Sequence, residues 1–186
     1  MTVRVDILES AARTLARSPS ATLADVAAEA GISRTTLFTR YPTREALLEA
    51  LALDALDRVG AAYGAAGVLP QAAPATSVLT DLIRLLIPLG PRMAFLMRER
   101  SLDESAPVNE RYRRLDEPLL RMIEAAQRAG ELRADQSAAW LNAALFALVM
   151  AAWEQIEEGT LAPRDAHLLV IGSFLDGAAS RIGHSE

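Results

Sequence analysis

The chain contains no cysteine, which excludes a disulfide framework and any thiolate-bound metal and points to a reducing cytoplasm. It contains no lysine either, so all 19 basic residues are arginine, a bias of genomic composition rather than of chemistry. Histidine occurs only at His167 and His184. No His/Asp/Glu spacing suits a metal, and Gly172-Ser173 is not followed by the glycine of a nucleophile elbow. Catalysis is therefore set aside, with no cofactor and no metal expected. Met1 to Ser10 alternates charged and apolar residues, unlike a signal peptide. The longest apolar run, Ala143 to Trp153, is too short to span a bilayer and reads as a buried helix, so no membrane partner is expected. Nowhere does period-2 alternation persist, which removes a sheet and leaves an all-α fold.

What remains is a chain of 186 residues, 51% of them hydrophobic. That is enough for one large domain or a small domain fused to a larger one. The net charge is −5, but it is unevenly placed. Residues 1–50 carry six arginines and six acids, so the excess acid lies beyond them. Between Ser33 and Arg44 there are three arginines and no acid. A local basic strip on an acidic body still attracts phosphate, while the body discourages nonspecific coating of a polyanion.

Helical periodicity places a first helix from about Val3 to Arg17, with Ile7, Leu8, Ala11, Ala12 and Leu15 on one face. Ser18-Pro19-Ser20 ends it. Thr22 caps a second helix, with Asp25 three residues on as a weak capping box. Ser33 caps a third, which stops near Tyr41-Pro42. Thr43 opens a fourth through Leu47, Leu48, Leu51, Ala55 and Val59. Gly60, Gly64, Gly67, Pro70 and Pro74 mark a loosened connection. Further helices are expected over Ser77–Leu89, Pro91–Leu102, Val108–Ala129 (stopped by Gly130), Asp135–Glu158 and Pro163–Ser180, about nine in all.

The segment TLADVAAEAGISRTTLFTRYPTREALL, Thr22 to Leu48, concentrates the functional signal. Ala27 is small enough for a second helix to cross it closely, and Gly31 can take the positive φ of a tight turn. Leu37 returns to the core beside Leu23, Val26 and Ile32. Arg34, Thr35, Thr36, Thr39 and Arg40 then point outward. A helix presenting Arg and Thr from its N-terminal end suits a DNA major groove.

ILESAARTLA followed by TLADVAAEAGISRTTLFTRYPTREALLEAL resembles the TetR (tetracycline-repressor-type) family of transcriptional regulators, sharply over Ile7–Leu51 and loosely beyond. The resemblance implies a helix-turn-helix DNA-binding domain over residues 1–46 and a larger helical ligand-binding and dimerisation domain over 47–186. It implies that Ser33, Arg34, Thr35 and Thr36 meet bases and phosphates. Phe38 stands where the family usually has a tyrosine whose hydroxyl meets phosphate, so any contact there is apolar or absent. Tyr41 occupies the aromatic position that packs into the small domain. Arg40 replaces a frequent histidine and could reach phosphate, and Thr39 lies on the same face. Thr43 and Arg44 open the fourth helix, where a free helix end and an arginine fork favour a phosphate oxygen. Thr22 opens the second helix similarly. Thr22, Ser33 and Thr43 are also good N-caps, which accounts for them without DNA.

On helices expected to line the family's ligand pocket, the candidates are Leu86, Met93, Phe95, Leu96, Met97, Tyr112, Leu119, Met122, Ile123, Asn142, Phe146, Met150 and Trp153. Methionine and aromatic side chains suit an adaptable apolar pocket, although the same residues at helical spacing also make plain core. Asn142, in an otherwise apolar stretch, needs partners that a ligand or a second subunit would supply; the subunit reading is slightly preferred. ELRADQSAAWLNAALFALVMAAW and the last apolar helix look like the family's final two helices, which form a four-helix bundle across a two-fold axis. The dimer candidates are Leu145, Leu148, Ala152, His167, Leu168, Ile171, Phe174, Leu175 and Ala178. The expected partners are a palindromic duplex operator, a second copy of the chain and a small, largely apolar effector that releases the operator. The alternative is a DNA-binding protein whose larger domain serves only dimerisation or a protein partner.

Overall fold

A computed structural model describes residues 7–69, 73–90, 92–93 and 99–178. Among them every regular element is helical: α1 (Ile7–Arg17), α2 (Leu23–Glu29), α3 (Arg34–Arg40), α4 (Arg44–Ala66), α5 (Ala75–Leu86), α6 (Ala106–Arg128), α7 (Ala138–Glu157) and α8 (Pro163–Ala178). Two short 3-10 turns, Ile87–Leu89 and Arg100–Leu102, complete them. The described residues form two compact units. A smaller one draws on residues 1–58 and 91–112, a larger one on 59–90 and 113–186. Helix α4 thus begins in the smaller unit and ends in the larger, and α6 does the same.

In the smaller unit α1 buries Ile7, Ala11, Ala12 and Leu15 on one stripe. Thr22 and Asp25 make a complete capping box at the start of α2, each side chain bonding the other's backbone amide. The Thr22 amide and hydroxyl hold the Asp25 carboxylate below its ordinary value. A carboxylate lowered on folding adds stability that is complete above about pH 4 and fades as acid carries the pH down through the folded value. At the other end of α2, Gly31 adopts φ +64°. Its amide and that of Ile32 bond back to Ala28 and Ala27 at 3.1 and 3.0 Å, closing the helix where a β-carbon would be strained. Ala27 and Leu37 are buried as the crossing requires.

The loosened connection expected at Gly60 and Gly64 is instead helix, because α4 continues to Ala66 and stops at Gly67, φ +79°. Each internal glycine costs about 1 kcal/mol against alanine. Burial of Val59, Ala62, Tyr63 and Ala66 offsets it. Within the smaller unit α4 also presents a row of acids to the 92–111 segment. Arg92, itself buried, pairs with Asp54 at 3.2 Å and with Glu9 of α1. Ser105 donates to Glu49 at 2.9 Å, and Arg111 pairs with Asp57 at 2.5 Å. The helix expected over Pro91–Leu102 falls largely outside the described residues; its end, Arg100–Leu102, is a 3-10 turn.

In the larger unit α5 buries Val78, Leu79, Leu82, Ile83 and Leu86, and its first amide is bonded by the Glu131 carboxylate at 2.6 Å. Helix α6 runs through Pro118, a proline that the periodic reading passed over. Helix α7 begins later than expected. Ser137, not Asp135, caps it, accepting from the Trp140 amide. Asp135 is committed to Arg133 at 2.7 Å, and Arg133 in turn donates to the Gly177 carbonyl at the end of α8. By length and mean hydropathy the complete α7 could cross a membrane, unlike the shorter run read from sequence. One face of it, with Leu141, Leu145, Val149 and Trp153, is buried in its unit. The Trp153 indole lies where Gly90 has no side chain: a β-carbon on Gly90 would meet its ring at 1.7 Å. Gly90→Ala is therefore expected to lower stability by about 1–3 kcal/mol through overpacking. Thermal unfolding followed by tryptophan fluorescence checks this; an unchanged melt would mean that the ring yields freely.

Candidate nucleic-acid interface

Helices α2 and α3 pack against each other with Ala27, Val26 and Leu37 between them and the turn at Gly31. That packing decides which side chains of α3 remain outside. Ser33, Arg34, Thr35, Thr36, Thr39 and Arg40 are all exposed, as is Thr22. Among these seven exposed side chains are two arginines and no acid, so the outer face of α3 is locally cationic.

The hydroxyls on this face are held before any partner arrives. Ser33 Oγ accepts from the Thr36 amide at 3.0 Å and lies 2.8 Å from Thr36 Oγ1. Thr39 Oγ1 donates to the Thr35 carbonyl at 2.9 Å. These bonds fix rotamers while leaving oxygen lone pairs free to accept. Arg34 lies over the half-buried Phe38 ring, 5.0 Å from its centroid. The phenyl group at this position thus orients an arginine through its π face. Arg40 stands 5.9 Å from the ring of Tyr41, which is buried as the aromatic core position requires.

The start of α4 differs from the sequence expectation. Arg44 donates from Nη2 to the Pro19 carbonyl at 2.6 Å and from Nη1 to the Ala21 carbonyl. Its fork ties α4 to the α1–α2 loop. Thr43 Oγ1 accepts from the Ala46 amide at 3.1 Å. The adjacent Glu45 carboxylate is held below its ordinary value by its own amide and the Thr43 hydroxyl. Thr43 and Glu45 thus give the first turn of α4 a cap and an acid of the chain's own.

The ligand candidates divide between the units. In the larger one Leu86, Leu119, Met122, Ile123, Asn142 and Trp153 are buried, and Phe146 and Met150 are half-buried. Met93 is buried in the smaller unit, whereas Tyr112, 52% exposed, is no core residue. Phe95, Leu96 and Met97 lie outside the described residues. Asn142, read as needing a ligand or a second subunit as partner, donates within its own unit to Asp116 of α6 at 2.5 Å. Of the dimer candidates, Leu145, Ala152, Phe174 and Ala178 are buried inside the unit, where α7 and α8 pack on each other. Leu148, His167, Ile171 and Leu175 are half-buried, and Leu168 is exposed. Trp140 and Leu169, passed over as dimer candidates, are 61% and 56% exposed. Trp140 is legible from its place one turn before Ala143 and Ala144 and two before Ala147.

Residues 7–51 match the bacterial regulatory proteins of the tetR family. The HTH-type transcriptional repressor LfrR of Mycolicibacterium smegmatis is 31% identical over 153 residues, which is 82% of this chain and 78% of that protein. A crystal structure of LfrR from Mycobacterium smegmatis in complex with proflavine superposes with a TM-score of 0.77 at 27% identity, covering 92% of this chain and 93% of that one. The ketosteroid regulator KstR2 of Mycobacterium tuberculosis shares the fold at 17% identity, with a TM-score of 0.73 and 97% of each chain covered.

Arg44 is where geometry changes an expectation. With both ends of its fork on loop carbonyls, Arg44→Ala is expected to lower the melting temperature and weaken binding to all DNA sequences alike. The slope of log K against log salt should stay unchanged. A slope shallower by about one would return Arg44 to phosphate.

Proposed function

The chain belongs to the TetR family of bacterial transcriptional regulators, and from that premise we propose that it acts in the cytoplasm as a dimeric, ligand-responsive repressor. Its family consists of DNA-binding regulators rather than enzymes. The observation that carries the reading is the outer face of α3, with Ser33, Arg34, Thr35, Thr36, Thr39 and Arg40 exposed together on a helix fixed by Leu37. Arg34 and Thr36 read base edges, while Arg40, Ser33 and Thr22 take phosphate. Arg44 serves this face from behind by holding the α1–α2 loop.

One such helix covers only a few base pairs, so two copies across successive major grooves suit a palindromic operator. The outward faces of α7 and α8 supply the contact in this proposal. Trp140, Ala143, Ala147 and Ala151 lie along α7, and Leu168, Leu169 and Leu175 along α8. Small residues on one helix let a partner helix approach closely, and the large ones then lose their water.

The effector is a small, largely apolar molecule bound in the larger unit, in keeping with proflavine in the LfrR crystal structure. Coupling to DNA requires unequal ligand affinity for two states of the protein. The continuous helix α4 is the connection we assign to it, with its acids clasped by Arg92, Ser105 and Arg111 in the smaller unit.

Selection of bound sites from genomic DNA tests the DNA reading. The chain should yield a palindromic motif, and Thr36→Ala or Arg34→Ala should change the preferred base at one position of each half-site. Unchanged motifs would contradict direct readout by these side chains. A compound that raises the melting temperature should also lower affinity for the selected site; binding without that loss would contradict the coupling. For the dimer, Trp140→Glu is expected to yield monomers in sedimentation at unchanged melting temperature, since the ring is exposed in the single chain. A persistent dimer would exclude this face.

A further inference from the structure

Asn142 lies on α7 with only 6% of its surface exposed. Its Nδ2 donates to Asp116 Oδ1 on α6 at 2.5 Å. A carboxylate accepts, so the amide nitrogen must face it and the amide orientation is fixed. Asn142 Oδ1 is thereby turned elsewhere, and it is buried without any donor. Such an orphaned acceptor is costly and calls for an explanation. Beside it, the half-buried Asp116 carboxylate receives this one bond and has no arginine partner among the described residues. Apolar residues lie within a turn or two on both helices. Leu119 and Ile123 follow Asp116 along α6, and Leu145 and Phe146 follow Asn142 along α7, all buried or half-buried.

The orphaned Asn142 oxygen calls for a hydrogen-bond donor, and the adjacent Asp116 carboxylate favours one that carries positive charge. We propose that Asp116 and Asn142 form the polar subsite of the effector pocket and take the nitrogen end of an organic cation bearing N–H donors. Asp116 supplies the countercharge and one acceptor oxygen. Asn142 Oδ1 accepts a second N–H, and the apolar neighbours receive the ligand's hydrocarbon body. A hard metal ion is a poor occupant, because one carboxylate and one amide oxygen among leucines fall short of the six or more oxygens it requires. The inference rests on the ligand-responsive reading and sharpens it: the effector is apolar in bulk but cationic at one end.

The test uses the full chain and two fluorescent probes with one body, dansylcadaverine with a terminal ammonium and dansyl-butylamide without it. The wild type should prefer dansylcadaverine. Asp116→Asn keeps an acceptor for the Asn142 amide and removes the charge; it should weaken dansylcadaverine tenfold or more and leave dansyl-butylamide within twofold. Asn142→Leu fills the site and should weaken dansylcadaverine several-fold, with the melting temperature unchanged or higher. Equal affinity of the wild type for both probes, no binding of dansylcadaverine, or parallel loss of both probes in Asp116→Asn would each overturn the subsite. Operator affinity measured in the same samples separates the two ideas. Charge-dependent binding that leaves the operator bound retires the regulatory reading alone. Operator release by dansylcadaverine that persists at full strength in Asp116→Asn retires the subsite alone.

Discussion

The Arg92 guanidinium is the interaction on which the small unit depends. It is buried, and a buried cation costs several kcal/mol unless it is paired. Its two partners come from different places: Glu9 on α1, 83 residues away in sequence, and Asp54 on α4, 38 residues away. Neither helix can shift along the other without uncovering that charge. Asp54 is shared further with Arg58 at 2.9 Å. One buried guanidinium thereby fixes the helix that begins the small unit relative to the helix that leaves it. Arg44 plays the complementary part at the other end, joining the start of α4 to the α1–α2 loop.

The outer face of α3 can be simple because the frame behind it is fixed. Seven residues of α3 need only one buried anchor, Leu37, when α2 and the Gly31 turn set the crossing. The exposed side chains are then free for recognition. They are also ordered in advance by the Ser33–Thr36 and Thr35–Thr39 bonds and by the Arg34–Phe38 contact. Preordering lowers the side-chain entropy lost on binding. Phe38 serves that ordering as a platform for the Arg34 guanidinium.

Local chemistry was the legible part of the sequence. The caps at Thr22, Ser33 and Thr43, the turn at Gly31, the stripe on α1 and the all-helical fold all follow from neighbours within a few residues. Long-range partners were not legible. Nothing near Arg92 announces Glu9 or Asp54, and Arg44 in isolation resembles any arginine at a helix start. Gly60 and Gly64 weaken local propensity within α4, while the burial of Tyr63 that carries the helix onward is tertiary. Helices α7 and α8 are apolar nearly all round, so periodicity could not separate Leu145 and Phe174, which face inward, from Trp140 and Leu168, which face out. Asn142 stood out as a polar residue in apolar company, but its partner on α6 needed the fold.

The proposal is that α3, in a unit braced by Arg44 and Arg92, reads DNA as one of a symmetric pair. Hydroxyl-radical footprinting of the full chain on a duplex selected from random sequence tests this most directly. The account requires two protected patches on one face of the duplex, centred about one helical turn or a multiple of it apart and related by a palindrome. A single patch, or protection indifferent to sequence, would contradict it.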